Sequence, residues 1–207
     1  MGLRRDGRWA AAAVFGLTVV QLAVAAAMPG LEQFAGKGFT ARLVVYPAMM
    51  LVAPAVWWLL TGRGRGRPRR IPWIPFTWIM LPFLIDVTGN TLNLYDSLWW
   101  WDDANHFVNW FFLNLGVGLL LAGPARLPRW ALLLMVGGVG AILAIGWEIG
   151  EYFAFIRAGT ELATAYTDTL GDLALGTLGA LAAGAVVARR PRTSAADVIV
   201  EPSTAPQ

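Results

Sequence analysis

Hydrophobic residues along the chain are concentrated in six long apolar segments. The segments lie at roughly 9–29, 40–60, 73–94, 104–123, 130–156 and 166–188. Each is close to the ~20 residues that cross a ~30 Å hydrocarbon layer as an α-helix. The connections between them are too short to fold as separate domains. The pattern predicts an all-α, polytopic membrane protein: one domain of six transmembrane helices over residues 1–190, and a disordered cytoplasmic tail over residues 191–207.

Composition agrees with a membrane protein and removes several classes of chemistry. Hydrophobic residues make up 57% of the 207 residues and charged residues only 14%, which is more apolar than the core of a soluble domain requires. The chain has no cysteine, so disulfides, cysteine metal centres and thiol nucleophiles are excluded. Glycine-rich stretches lie inside the apolar segments, where we expect close helix packing rather than phosphate binding; Gly176, Gly179 and Ala183 are predicted to pack in this way.

Basic residues predict the orientation of the chain in the membrane. Thirteen arginines fall at the two termini and in the loops on one side of the predicted bundle, while Lys37, Arg42 and Arg157 fall on the other side. Because cytoplasmic loops carry the excess of Lys and Arg, both termini are predicted to be cytoplasmic in a bacterial inner membrane. The same charges would also suit anionic lipids, whereas we expect no nucleic-acid partner. A cleaved signal peptide is the alternative for the first segment, although its apolar run is long for one.

Acidic residues within the last four segments all fall in the predicted outer half of the bundle. The third segment carries Asp86, Asn90 and Asn93 at i, i+4 and i+7, on one face of a helix. The later segments contribute Asp102, Asp103, His106 and Asn109, then Glu148, Glu151 and Tyr152, then Asp168 and Asp172. Ionised acids are costly inside a membrane, and these segments cross it in alternating directions. We therefore predict that they form one outward-facing site.

The three tryptophans that precede the fourth segment have a simpler explanation. Trp99, Trp100 and Trp101 lie in the predicted outer loop, where aromatic side chains collect at the membrane–water interface. Asp102 or Asp103 would cap the following helix and interact favourably with its amino terminus. Capping accounts for one of these acids and leaves the other, together with His106, for the site.

Three arrangements would satisfy the predicted cluster of acids. Salt bridges to Arg42 and Arg157 would make a structural network, but two arginines cannot balance all the acids. A divalent metal ion suits a ligand set of carboxylates with one histidine. Alternatively, neighbouring carboxylates raise one another's pKa, so that some would carry protons in a transporter. A single histidine argues against a di-iron centre, which generally takes one from each of two helices.

The metal hypothesis assigns a role to each candidate residue. The predicted metal ligands are Asp102, Asp103, His106, Glu148, Glu151, Asp168 and Asp172, of which His106, Glu148 and Asp172 are the catalytic candidates. The residues expected to contact the substrate or support the ligands are Asp86, Asn90, Asn93, Asn109, Tyr152, Arg42 and Arg157. A divalent ion of unknown identity would polarise a phosphoryl oxygen while a carboxylate or the histidine moves a proton.

The predicted depth of the site in the membrane suggests the class of substrate, and two other functions stay open. A site in the outer leaflet meets lipid head groups, so membrane lipids are the expected partners and an envelope lipid or lipid-linked phosphate is the expected substrate. A cation- or proton-coupled transporter is the alternative function. A non-catalytic envelope protein is the third hypothesis.

Three motifs in the second half of the chain resemble a known group of membrane proteins. The order of "DDANHF", "WEIGEY" and "YTDTLGDLALGTLGAL" is similar to the YjdF type of bacterial inner-membrane protein, and more distantly to the VanZ-like family linked to teicoplanin resistance. The resemblance covers roughly Asp86 to Leu181.

In VanZ-like proteins an acid lies four residues before His-Phe, a Glu is followed three residues later by Gln, and an Asp is followed by Asn at the fourth position and Gly at the seventh. This chain has Asp102 before His106 and Phe107, then Glu148, Asp172 and Gly179 in those places, but it carries Glu151 and Gly176 where the pattern has Gln and Asn. These differences favour the YjdF type. The resemblance implies a shared outward-facing site and a role in antibiotic tolerance as one alternative, but no assigned reaction.

The predicted topology can be tested in intact cells, because the chain has no native cysteine. Cysteines introduced at Gly64 and Ser194 should be protected from a membrane-impermeant thiol reagent, whereas a cysteine at Ser97 should be labelled. Labelling at Gly64 in intact cells would place the acids in the cytoplasmic half instead.

Overall fold

The described part of the structure, a computed structural model, is entirely helical. It comprises residues 6–61, 71–122, 127–154, 156–158 and 160–190. The α-helices are α1 (Asp6–Ala27), α2 (Phe39–Thr61), α3 (Trp73–Thr91), α4 (Leu94–Ser97), α5 (Trp101–Ala122), α6 (Arg129–Ala154) and α7 (Ala165–Arg189). Two 3₁₀ turns, Ile156–Ala158 and Thr160–Ala163, connect α6 to α7. The arginine-rich loop at 62–70, the first five residues and the predicted tail at 191–207 lie outside the described residues.

Six long helices lie where the apolar segments predicted them. Five of them, all except α3, are long and apolar enough to span a membrane by length and composition. Helix α3 is shorter and carries Asp86, Asn90 and two internal threonines, which lower its hydropathy. The all-helical fold is confirmed in the described residues, whereas the count of six membrane spans and the cytoplasmic position of the termini stay predictions.

Helix α3 ends three residues before the predicted end of its apolar segment because the backbone turns at Asn93. This residue has a φ of 57°, in the left-handed region that asparagine adopts more readily than most residues. The turn leads into α4, where Lys37 from the α1–α2 loop donates to Asp96 at 2.7 Å. The chain then enters α5 at Trp101, and Asp102 and Asp103 lie in its first turn. Acidic residues at this position interact favourably with the helix dipole.

The first three helices pack around an aromatic and aliphatic core. Its fully buried members include Leu22 of α1, Met50 of α2 and Phe76 and Val87 of α3. Trp147 of α6 also packs against this core, with its ring 6.3 Å from that of Tyr46. The contact brings the carboxyl-terminal part of α6 next to α2, so that polar residues of both halves of the chain lie near each other.

Helices α5, α6 and α7 pack closely through small residues. Phe107 of α5 lies against Gly179 of α7 so tightly that a Cβ at Gly179 would overlap its carbonyl oxygen. A Cβ at Gly184 of α7 would meet Leu133 of α6 at 3.1 Å. The predicted packing role of Gly176, Gly179 and Ala183 is confirmed, because all three are buried. Small residues of this kind allow neighbouring backbones to approach within a membrane bundle.

Two glycines of α7 provide a matched test of this packing. Gly179→Ala should destabilise the protein by roughly 1–3 kcal/mol, because the added methyl group overlaps backbone that cannot move independently. Gly171→Ala on the same helix has no heavy atom within 4 Å of the new Cβ, so it should leave stability unchanged or raise it. Melting temperatures in one detergent would measure both effects. Equal temperatures for the two variants would contradict the close approach of α5 and α7.

Candidate metal centre

The only histidine of the chain lies at the centre of a cluster of carboxylates from three helices. His106 Nε2 is 3.7 Å from Asp102 Oδ1 on its own helix and 3.5 Å from Asp172 Oδ1 of α7. Its Nδ1 is 3.9 Å from Glu148 Oε1 of α6. Glu151 lies one turn further along α6, and its carboxylate belongs with Glu148 and His106 in a second group of closely spaced ligand atoms.

The burial of the cluster follows from where its members sit on the helices. The side chains of Glu148 and Asp172 are each 6% exposed, and that of His106 is 11% exposed. Asp102 is nearly half exposed and lies at the mouth of the cluster. At ~1.5 Å per residue, the inner three residues lie roughly 8–11 Å from the nearest ends of α5, α6 and α7. These acids occupy one end of the bundle, although α6 runs in the opposite direction to α5 and α7.

The spacing of the ligand atoms is compatible with a metal ion. In each of the two groups, Asp102–His106–Asp172 and His106–Glu148–Glu151, one ligand atom per residue lies within 4.8 Å of the others. Two atoms bound to one ion at about 2.0–2.2 Å can be at most roughly 4.4 Å apart. The measured separations of 3.5, 3.7 and 3.9 Å from the imidazole nitrogens fall within that limit. The two groups lie on opposite edges of one imidazole ring, so a single ion can use only one of them.

Packed side chains fill the bundle beneath the cluster. Each of the three helices continues with buried residues at about every fourth position. They are Trp110, Asn114 and Gly118 of α5, Ala144, Gly140 and Val136 of α6, and Gly176, Ala180 and Val187 of α7. Trp110 is the first of these below His106, and a Cβ at Gly176 would meet its indole at 2.7 Å. In the described part of the bundle, the cluster is therefore separated from the opposite end by packed side chains.

Asp86 lies in a second network rather than in the histidine cluster. Its carboxylate accepts hydrogen bonds from Tyr46 and Tyr95, each at 2.7 Å, and from Arg42 Nη1 at 3.2 Å. Arg42 also donates to the Tyr46 hydroxyl at 3.2 Å. Burial, and next the Asp86 carboxylate, raise the pKa of Tyr95 above its ordinary value, so its hydroxyl stays protonated. Asp86 is thus paired and hydrogen-bonded, which is the structural role predicted for part of the acids.

A ladder of asparagines on α5 extends the Asp86 network toward the histidine. Asn105 donates to the Tyr95 hydroxyl, and Asn109 donates to Asn105 Oδ1 at 2.9 Å. Asn105 directly precedes His106 in α5. The polar residues that the sequence assigned to one site therefore form two neighbouring groups, the Asp86 network and the His106 cluster, and both include residues of α5.

The other predicted site residues lie outside the two groups of metal-ligand atoms. Asp103 and Asp168 have exposed side chains in the first turns of α5 and α7. Asn90 is buried and donates to the backbone oxygen of Asp86. The Oδ1 of Asn93 is buried without a hydrogen-bond partner.

Two predicted residues near the α6–α7 connection contact aromatic rings. Tyr152 is 42% exposed and packs edge-on against Phe153. Arg157 lies with its guanidinium 5.4 Å from the centroid of the same Phe153 ring. The structure places neither of them against His106, so their predicted contact with a substrate stays a prediction.

The sequence did not reveal Tyr46, Tyr95 and Asn105 as parts of the site region. Tyr46 stands in an otherwise apolar segment and Tyr95 in a loop, so neither residue type stands out from its surroundings. Asn105 could have been found, because it lies four residues before Asn109 on the same helix face.

The three consecutive tryptophans do not share one environment. Trp99 is 91% exposed, whereas the Trp101 ring lies over Gly89 of α3.

Comparison with known proteins identifies the family. A family model described as predicted membrane protein (DUF2238) matches residues 9–193, and the chain belongs to that family. The match is consistent with the resemblance to the YjdF type, whereas the likeness to the VanZ-like family stays a prediction. No significant match was found among curated proteins or among solved structures.

The two buried networks predict different responses to loss of an acid. Asp86→Asn leaves the Arg42 guanidinium, whose side chain is 14% exposed, beside a neutral amide. The expected loss of stability is roughly 3–5 kcal/mol, as for other broken buried pairs. Asp96→Asn breaks the more exposed pair with Lys37 and should cost at most about 1 kcal/mol. Unfolding monitored by melting temperature would measure both, and an equally small effect of both variants would contradict a structural role for Asp86.

Proposed function

We propose that this DUF2238 protein binds a divalent metal ion at the His106 cluster and uses the ion to act on an envelope lipid or lipid-linked phosphate. The observation that carries the proposal is the convergence of Asp102, Glu148, Glu151 and Asp172 from three helices on the only histidine. Imidazole with several carboxylates is a ligand set for Mg, Mn, Fe(II) or Zn ions. Buried carboxylates also require compensation, and an ion would supply it.

In this proposal the two nitrogens of the imidazole ring have different roles: Nε2 binds the ion, and Nδ1 carries the proton. The ion would lie on the Nε2 side, where Asp102 and Asp172 come from two different helices and the Asp102 side chain is 48% exposed. Glu148 lies 3.9 Å away on the Nδ1 side, where its negative charge would favour a proton on Nδ1 and leave Nε2 free to bind the ion. A carboxylate behind a metal-binding histidine is a common arrangement in metalloproteins.

The remaining carboxylate supports a hydrolytic or transferase reaction. The ion would polarise a phosphoryl oxygen and stabilise the negative charge that develops on it. Glu151 is not required as a ligand on the Nε2 side. Because it lies with Glu148 on the opposite edge of the ring, it would accept the proton of an attacking water or hydroxyl group through an intervening water molecule. With the termini in the cytoplasm, the cluster lies in the outer leaflet at about the depth where head groups meet acyl chains.

Packing beneath the cluster favours this proposal over transport. A cation- or proton-coupled transporter needs access to its site from the other side of the membrane in at least one of its conformations. In the described residues that direction is filled by Trp110, then by Asn114 with Ala180, and then by Val136 with Val187. A site that is closed beneath and half open at Asp102 suits a ligand that enters from one side.

Removal of single carboxylates tests the metal site and the side of the ring on which the ion lies. The melting temperature of the purified wild type should rise from EDTA to millimolar Mg²⁺, Mn²⁺ or Zn²⁺, by the equivalent of about 2.7 kcal/mol at 100 times the Kd. Asp172→Asn should abolish this rise because it removes a ligand. Glu148→Gln should keep the rise but shift its midpoint to roughly 10–100-fold higher ion concentration.

Asp103→Asn is the matched control, because Asp103 is an exposed acid in the same helical turn as Asp102. It should behave like the wild type across the ion titration. A wild-type melting temperature that stays constant from EDTA to millimolar ion would refute the metal proposal. Loss of the response in Glu148→Gln with retention in Asp172→Asn would place the ion on the Nδ1 side instead.

A further inference from the structure

The hydrogen bonds that lead from Asp86 along α5 have a fixed direction. Asp86 is paired with Arg42, and an ionised carboxylate can only accept hydrogen bonds. The Tyr95 hydroxyl therefore donates to Asp86, and its oxygen is left to accept the Asn105 amide. Asn105 must then turn its Oδ1 toward Asn109, which donates through Nδ2.

This direction determines which atom of Asn109 is left at the end of the ladder. Amide nitrogen and oxygen atoms cannot in general be told apart by shape, but here the acceptor Asp86 fixes the orientation of every amide after it. The terminal atom is Oδ1 of Asn109, a hydrogen-bond acceptor. It is buried and has no hydrogen-bond partner in the described structure.

A buried acceptor without a partner, one turn from His106 on the same helix, favours a ligand that carries a hydrogen-bond donor. Asn109 lies three residues after His106, on the adjacent side of the same helix and one turn deeper in the bundle. Rotation of its amide would satisfy a ligand without donors only by breaking the bonded ladder behind it. Sites that present a fixed polar group reject analogues that lack the matching partner far more strongly than apolar pockets reject a change in size.

We infer that Asn109 Oδ1 accepts a hydrogen bond from a donor on the lipid head group that binds at the His106 cluster. The inference rests on the proposed function, in which a lipid is the ligand, and it narrows the substrate class. Suitable head groups carry a hydroxyl, as in a glycerol or sugar, or a primary ammonium. Head groups without O–H or N–H donors are excluded.

Two matched pairs of lipids test the inference with one readout. Phosphatidylglycerol and phosphatidylmethanol have the same charge but differ in head-group hydroxyls, and phosphatidylethanolamine and phosphatidylcholine differ in ammonium donors. With identical acyl chains in one detergent, the wild type should melt at a higher temperature with the donor-bearing lipid of at least one pair. A difference in melting temperature within the first pair identifies the donor as a hydroxyl, and a difference within the second pair identifies it as an ammonium.

Two substitutions attribute the preference to Asn109. Asn109→Leu removes the acceptor and should abolish the difference within the responding pair. Asn109→Gln keeps both the amide donor to Asn105 and an acceptor oxygen, one carbon further along the side chain, and should retain at least part of the difference. It also serves as the readout if Asn109→Leu does not fold. Loss of the preference in both variants would overturn the inference.

Other results would also overturn it, and they differ from failure of the metal proposal. If the wild type melts equally with both lipids of each pair, the acceptor holds a water molecule only. If Asn109→Leu still melts at a higher temperature with the donor-bearing lipid, another residue accepts the hydrogen bond from the head group. A flat divalent-ion titration removes the metal site without changing the outcome of the lipid comparison, so the two failures are distinguishable.

Discussion

The close approach of α7 to α5 is the contact on which the rest of the candidate centre depends. Phe107 lies directly against Gly179, and Trp110 lies against Gly176. These contacts allow no side chain larger than hydrogen at either glycine without displacement of a neighbour. Asp172 is one turn above Gly176 on α7 and His106 is one turn above Trp110 on α5, so the backbone contact sets the distance between the carboxylate and the imidazole. A separation larger by a few ångströms would leave the two side chains on different faces of a lipid-filled gap.

Buried charge is handled in two different ways on the two sides of α5. Asp86 is compensated within the protein, by an arginine and two tyrosine hydroxyls. The histidine cluster gathers four acids around one imidazole. The pairing of Asp86 is the reason to regard its network as part of the scaffold of the bundle.

The long elements of the fold could be predicted from the sequence because each apolar segment is near the length of a membrane span. The ends were predicted less well where a single residue decides them, as at Asn93, whose left-handed backbone stops α3. Which face of each helix is buried could be predicted only in part. Asp102 and His106 are four residues apart and share a face, whereas Asp103 is turned by about 100° and is exposed.

Other assignments depend on tertiary contacts that the sequence pattern does not contain. Asp168 has the same spacing from Asp172 as Asp102 has from His106, yet Asp168 is exposed and only Asp102 belongs to a group of ligand atoms. Asp86 was grouped with the other acids because nothing in its own segment shows that Tyr46 and Arg42 of α2 face it. Those partners are distant in sequence, and the contact between Trp147 and Tyr46 that brings α6 beside α2 is a result of packing.

The order of the helices along the chain has a consequence for biogenesis. His106 emerges from the ribosome with α5, Glu148 and Glu151 follow near the end of α6, and Asp172 comes only with α7. A carboxylate within an isolated membrane helix is costly, up to about 2.5–3.5 kcal/mol at the centre and less toward the ends, so each helix is less stable in the bilayer alone than next to its partners. Because α7 packs against both α5 and α6, the cluster is complete only after the last helix has been synthesised.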